Sequence, residues 1–133
     1  MANVVLPRVQ AMVLCDVAHK DENEIGVYRL TGVRTTLEAS SFPLLRPRLC
    51  AFLQLSGHRG EAHCHVEVSG VETGNLIYHT PRKVIAFDGP LVVVPIAFRI
   101  RNCVFPAAGL YYVQAFDQGK LIGERPLRVL QEE

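Results

Sequence analysis

Residues 105–120 read FPAAGLYYVQAFDQGK, and this stretch decides the fold. The proline and glycine near its start mark a turn, after which Leu110 to Phe116 predicts a β-strand. A second turn follows at Asp117 to Lys120, where Gly119 can adopt the positive φ that a tight hairpin requires. Leu121 to Leu130 then predicts the returning strand. The C-terminal part of the chain is therefore expected to form an antiparallel hairpin.

The rest of the chain repeats this pattern of short strands between turns. Ten Gly and eight Pro divide it, and no segment of ten or more residues shows the 3.6-residue period of a helix. Pro95 is expected at a sheet edge or a bulge, because proline has no N–H to donate to the ladder. Ser40 to Arg48 is expected to be a connection that crosses to another sheet. The other predicted strands are Val9 to Val17, Val27 to Glu38 with a bend at Gly32, Leu49 to Leu55, Glu61 to Val68, Leu76 to Thr80, Lys83 to Phe87, and Leu91 to Arg101.

Eight or nine strands without a helix predict an all-β fold. We expect an immunoglobulin-like antiparallel β-sandwich of 8–9 strands, with a jelly roll as the alternative topology. A chain of 133 residues has the size of one domain, so residues 1–133 are predicted to form a single sandwich. The predicted core consists of Val13, Leu53, Leu55, Val66, Val68, Phe98, Ile100, Tyr111 and Val113.

The chain contains Leu14-Cys15-Asp16, Phe42-Pro43, Phe105-Pro106-x-x-Gly109-x-Tyr111 and Pro126-Leu127-Arg128-Val129. Over nearly the whole chain, these motifs resemble a bacterial family of small uncharacterised β-sandwich proteins. The Gly-x-Tyr motif also resembles the start of the penultimate strand in immunoglobulin-like sandwiches, where an inward tyrosine lies at the corner between the sheets. The resemblance implies the fold only, because no activity, cofactor or catalytic residue is established for the family.

Charge and motif content exclude several functional classes. The 14 Lys and Arg nearly balance the 13 Asp and Glu, for a net charge of +1, whereas nucleic-acid binders are usually strongly basic. The longest apolar run, Pro90 to Phe98, is far shorter than the roughly 20 residues that span a bilayer. Phosphate-binding, dinucleotide-binding and nucleophile-elbow motifs are missing. We therefore predict a non-enzymatic protein-interaction or structural module that uses no cofactor and binds neither nucleic acid nor membrane.

One group of residues supports an alternative function. His63 and His65 share one face of a predicted strand, roughly 7 Å apart, where both could bind one metal ion. His79 is the candidate third ligand, and the spacing from Gly57 to the two histidines resembles the opening of the first cupin motif. That resemblance implies a metal-dependent jelly-roll enzyme. The competing interpretation is that these histidines and Glu67 form the solvated face of a half-exposed strand.

Basic residues concentrate in two segments. Arg46, Arg48 and Arg59 lie in a stretch without acidic residues, and Arg99 and Arg101 share one face of their strand. These side chains could form a cationic patch for an acidic partner. They could equally be ordinary solvated residues, and the lack of interleaved aromatic residues argues against a platform for single-stranded nucleic acid.

The four cysteines, Cys15, Cys50, Cys64 and Cys103, show no Cys-x-x-Cys spacing and lie among apolar residues. We expect reduced, buried thiols in a cytoplasmic protein. The N-terminal segment fits this location, because it has neither the basic nor the continuous apolar region of a signal peptide.

Leu49 to Leu55 is apolar on both faces, which a two-sheet sandwich cannot bury completely. Phe52 would lie near the centre of the exposed apolar face, and Leu91 to Phe98 shows the same excess. Because symmetric contacts commonly cover such patches, we expect a homodimer. The alternative is that the connection from Ser40 to Arg48 covers this face within the same chain.

Overall fold

The computed structural model describes residues 5–132 of the chain. Within this range no helix is long and apolar enough to cross a bilayer. Residues 5–132 form ten strands, which is one or two more than the 8–9 predicted. They are β1 (Arg8–Lys20), β2 (Tyr28–Val33), β3 (Thr36–Ala39), β4 (Leu44–Ser56), β5 (Gly60–Gly70), β6 (Leu76–His79), β7 (Lys83–Phe87), β8 (Val94–Phe105), β9 (Gly109–Asp117) and β10 (Lys120–Gln131).

The strands form two sheets that pack face to face. The first sheet has the order β2-β1-β4-β8, and the second has the order β3-β10-β9-β5-β6, with β7 also paired to β5. All pairs are antiparallel except β3 with β10, which are parallel. The fold is therefore an immunoglobulin-like β-sandwich, as predicted, and the jelly-roll alternative is not adopted.

The corner before β9 carries the tyrosine that the Gly-x-Tyr motif predicts. The Tyr111 hydroxyl donates a hydrogen bond of 2.6 Å to the backbone oxygen of Ala107, four residues upstream. Its ring packs edge-on against Phe105, with 5.0 Å between ring centroids. This arrangement corresponds to the tyrosine corner of immunoglobulin-like domains, which ties the loop between the sheets to the start of β9.

The core lies between the sheets and follows the two-residue alternation of the strands. Of the nine predicted core residues, eight are buried. The exception is Val13, which is only half-buried. The reason is the phase of β1: Met12 and Leu14 face the core, so Val13 between them points to the outer face.

Three predicted boundaries need correction. The single strand predicted over Val27 to Glu38 is two strands, β2 and β3, which lie in different sheets. The connection predicted over Ser40 to Arg48 ends sooner, because β4 begins at Leu44 and includes Pro47. Proline fits there because β1 pairs with β4 only as far as Cys50, which leaves Pro47 without a neighbour on that side. Finally, β8 begins at Val94 rather than Leu91, and its Pro95 does lie in an edge strand.

Candidate functional site

The distal half of the β1–β2 hairpin folds back over the outer face of the first sheet. Pairing between β1 and β4 ends at Cys15 opposite Cys50, whereas β1 and β2 remain paired up to Lys20 opposite Tyr28. The Tyr28 ring nevertheless lies 5.1 Å from the ring of Phe52 on the outer face of β4. Because Tyr28 lies far along the hairpin, this contact requires the hairpin to bend back over β4.

Asp16 lies at this bend and is held by two arginines, an arrangement that we name the Asp16 clamp. Arg34 donates from Nε to Oδ1 at 2.6 Å and from Nη2 to Oδ2 at 2.9 Å. Arg46 donates from Nη2 to Oδ1 at 2.6 Å. These hydrogen bonds, chiefly that from Arg34, lower the pKa of Asp16 from its usual value, although partial burial acts in the opposite direction.

Gly32 is the residue that lets the carboxylate approach β2. Its φ is +68°, and a Cβ at this position would lie 2.2 Å from Oδ2 of Asp16. Any side chain here would therefore push Asp16 away from the guanidinium of Arg34. Gly32, where the sequence predicts a bend, lies within β2, and its glycine is a steric requirement of the Asp16 clamp as well as of the positive φ.

A groove of about 250 Å³ lies between the bent hairpin and the outer face of β4 and β8. We name it the arginine groove. Asp16, Val17 and Ala18 line it on the hairpin side. The opposite side carries three exposed arginines, Arg48, Arg99 and Arg101.

The positive charge of this groove is not neutralised by neighbouring acids. Arg48 and Arg101 are direct cross-strand partners, an arrangement of like charges that is normally unfavourable. Among residues 5–132, no ion pair within 4.0 Å involves Arg48, Arg99 or Arg101. The one acid that lines the groove, Asp16, is already bound by two arginines. A chain of nearly neutral net charge thus concentrates cationic side chains at one place.

Lys83 of β7 adds a further cation at the free edge of β8. Its Nζ donates to the backbone oxygen of Ala97 at 2.7 Å and lies 5.4 Å from the centroid of the Phe98 ring. Burial and the nearby Arg99 guanidinium both lower the pKa of Lys83. The hydrogen bond also satisfies one carbonyl of an edge strand that would otherwise be open to another chain.

The sequence predicted part of this site. The structure brings Arg46, Arg48, Arg99 and Arg101 to the same region, whereas Arg59 does not line the groove. Sequence reasoning missed Arg34 and Asp16 because their contact depends on the hairpin bend. The glycine at position 32, where the sequence predicts a bend, is the one local signal that points to it.

The histidines of β5 lie on the other sheet, and the structure does not bring the three candidate ligands together. His63 lies opposite Val84, and His79 lies opposite Glu67 rather than His65. Among residues 5–132, no three His, Cys, Asp or Glu side chains form a group that could hold a metal ion.

His65 instead forms a local contact with Glu67, its neighbour on the same face of β5. Nε2 of His65 lies 2.8 Å from Oε2 of Glu67. The imidazole stacks on the ring of Phe116, with 5.1 Å between centroids, and its buried Nδ1 has no hydrogen-bond partner among residues 5–132. The alternation predicted for β5 is confirmed, since Cys64, between the two histidines, is buried.

All four cysteines are buried and unpaired by disulfides. Burial raises the pKa of Cys15 and Cys64 to about 12 and that of Cys103 to about 11. Burial also raises the pKa of Cys50. Thiols of this kind are poor nucleophiles at neutral pH because little thiolate forms.

The apolar outer face around Phe52 is covered within the chain. Phe52 is only 7% exposed, and it packs in a small cluster with Cys15, Ala18 and Cys50 under Tyr28 and Leu30 of the hairpin. The hairpin of the same chain, and not the Ser40 to Arg48 connection, therefore covers Phe52, while the homodimer stays a prediction. An exposed apolar run does remain at Leu91, Val92 and Val93, which are 93%, 40% and 48% exposed.

Two packed sheets, a parallel pairing with the last strand and a tyrosine corner define an immunoglobulin-like domain. The chain belongs to the family of unknown function DUF6941, whose model matches residues 10–130. No protein with a curated description matches it. An immunoglobulin-like protein from Pseudomonas aeruginosa, known from a crystal structure, is similar at 12% sequence identity and a TM-score of 0.49, over 94% of this chain and 97% of that chain.

Proposed function

We propose that this domain is a non-enzymatic interaction module whose arginine groove binds an acidic segment of a partner protein. The observation that carries the proposal is the set of three arginines, Arg48, Arg99 and Arg101, that border one groove and form no ion pair with any acid of residues 5–132. Guanidinium groups form bidentate hydrogen bonds with carboxylates. A partner with Asp or Glu side chains would relieve the repulsion between the cross-strand arginines.

Two features favour an acidic protein segment over nucleic acid. Among residues 5–132 no aromatic residue lines the groove, and Tyr28 and Phe52, which pack with Cys50, lie against each other, so the groove offers no platform on which bases could stack. The hairpin also ends in exposed acids, Glu22 and Glu24, which would repel a long polyanion that extends beyond the groove.

The test is fluorescence anisotropy with a labelled ten-residue peptide rich in glutamate, compared with the matched glutamine peptide. We expect the double variant Arg48→Gln and Arg101→Gln to bind the acidic peptide at least tenfold more weakly. The control is Arg8→Gln and Arg59→Gln, which removes the same charge elsewhere and should change binding less than twofold. Equal loss in both double variants would show that net charge, not the groove, binds the peptide.

A second arm separates the partner classes. Single-stranded DNA of equal charge is titrated under the same salt conditions. Tighter binding of DNA than of the acidic peptide, lost in the groove variant, would overturn the assignment to a protein partner. Failure of the acidic peptide to bind at low salt would overturn it as well.

A further inference from the structure

A second cavity lies on the side of the sandwich where the two sheets are not joined. β1 pairs with β2 only from Cys15 onward, so the edge of its first half faces β10 across the gap between the sheets. One end of this gap is closed, since a Cβ on Gly123 would lie 3.0 Å from a methyl carbon of Val9. Farther along, beside Met12, the gap opens into a hollow of about 500 Å³. We name it the side hollow.

The lining of the side hollow is apolar at its floor and cationic at its rim. Met12 and Leu14, each 3% exposed, form the floor. The rim carries Arg125 and Arg128. The remaining lining residues of the described chain contain no acid; they are Val13, Val33, Arg34, Thr35, Thr36, Leu110 and Pro126.

The rim arginines differ in what they already bind. Arg125 donates from Nε to the backbone oxygen of Met12 at 3.0 Å, across the gap between β10 and β1, and from Nη1 to the backbone oxygen of Glu124 at 2.9 Å. Arg34 is held by Asp16. Arg128 is exposed and takes part in no ion pair within 4.0 Å among residues 5–132. Of the three arginines, Arg128 is the one whose guanidinium makes no hydrogen bond within the described part of the chain, so it is the group fully available to an anion at the rim.

We propose that the side hollow binds a small amphipathic carboxylate, a molecule with an apolar chain and one carboxylate headgroup. The apolar chain lies over Met12 and Leu14, and the surface removed from water is mainly that of the chain itself, because both side chains are already buried. The headgroup accepts a bidentate hydrogen bond from Arg128, the geometry in which guanidinium and carboxylate match. The volume falls within the roughly 300 to 1,000 Å³ typical of small-molecule sites. The site is independent of the arginine groove, because the arginines that would bind the two ligands are different.

The test is isothermal titration calorimetry with decanoate kept below its aggregation concentration, with decanamide as the neutral ligand of equal chain length. We expect saturable binding of decanoate, and at least tenfold weaker binding of decanamide. Arg128→Gln should weaken decanoate binding at least tenfold. Pro126→Glu, which places a carboxylate at the exposed rim, should weaken it similarly, and circular dichroism verifies that both variants are folded.

The matched control is Arg101→Gln, which removes an exposed arginine of the groove and should change decanoate binding less than twofold. An equal loss in Arg101→Gln and Arg128→Gln would place decanoate in the groove and overturn the side hollow as its site. Equal affinity for decanamide, or no saturable binding of decanoate, would also overturn the proposal. Binding of the protein to phosphatidylglycerol vesicles without binding of monomeric decanoate would likewise overturn the proposal. Because the acidic peptide depends on Arg101 and decanoate on Arg128, either proposal can fail without the other.

Discussion

Replacing Gly32 by alanine tests the physical basis of the bent hairpin. Gly32 has a φ of +68°, and forcing a residue with a Cβ into the left-handed region costs roughly 1 to 2 kcal/mol. The new Cβ would also lie 2.2 Å from Oδ2 of Asp16. Asp16 must then move, which breaks its hydrogen bonds with Arg34 and Arg46.

The magnitude follows from the partial exposure of these groups. The Asp16 side chain is 23% exposed, and those of Arg34 and Arg46 are 38% and 24% exposed. Exposed ion pairs contribute about 0 to 1 kcal/mol each, so the loss of both adds at most about 2 kcal/mol. We therefore expect Gly32→Ala to lower the free energy of unfolding by about 3 kcal/mol, backbone strain included.

The chain offers a matched control for backbone strain. Gly26 has a φ of +80°, but nothing lies within 4 Å of a Cβ built there. Gly26→Ala should therefore cost only the strain, about 1 to 2 kcal/mol. Urea unfolding followed by far-UV circular dichroism measures both, since the chain has no Trp for fluorescence. In an Asp16→Ala background, Gly32→Ala should cost no more than Gly26→Ala. An equal cost of the two substitutions in the native background would refute the reasoning.

Four further predictions concern stability, thiols and association. Tyr111→Phe removes the hydrogen bond to Ala107 and should lower the free energy of unfolding by about 1 kcal/mol. The control Tyr112→Phe removes no hydrogen bond to Ala107 and should have little effect. Equal losses of stability in the two variants would contradict the tyrosine corner. Folding lowers the pKa of Asp16 from its ordinary value of 3.8. The ion pairs of Asp16 therefore stabilise the protein fully above pH 3.8, and this stabilisation is lost as the pH falls through the lowered pKa. Asp16→Asn should remove this part of the acid sensitivity in urea titrations between about pH 5 and 2, and identical curves for both proteins would count against it. Thiol titration should find four reduced cysteines in denaturant. In the native protein almost none should react, because burial raises the pKa of Cys15 and Cys64 to about 12. A count of two or fewer thiols in denaturant would disprove the prediction of four reduced cysteines. Light scattering should give a dimer with twice the 14.8 kDa mass of the chain. Leu91→Glu should weaken this dimer, whereas Ile25→Glu, at a similarly exposed apolar residue of the hairpin tip, should not. A monomer at micromolar concentration would refute the homodimer hypothesis.

The interaction between Phe52 and Tyr28 shows where sequence reasoning stops. Leu49 to Leu55 is visibly apolar on both faces, and this pattern predicts that both faces are covered. It does not predict which segment covers them, because periodicity describes a single strand and carries no information on which distant segment packs against it. The cover is the hairpin that bends at Asp16, where Arg34 and Arg46 bind the carboxylate and Gly32 leaves room for it.

The sequence by itself determined the all-β class, the C-terminal hairpin, the inward Tyr111 and most of the core. Each of these depends on local turn chemistry or on the two-residue alternation of a strand. Only the tertiary structure decided which sheet β2 and β3 join, that the arginines of β4 and β8 meet beneath the bent hairpin, and that His79 lies opposite Glu67 rather than His65. The physical reason is that these placements are set by pairing between segments far apart in the chain, where one residue of register changes which side chains meet.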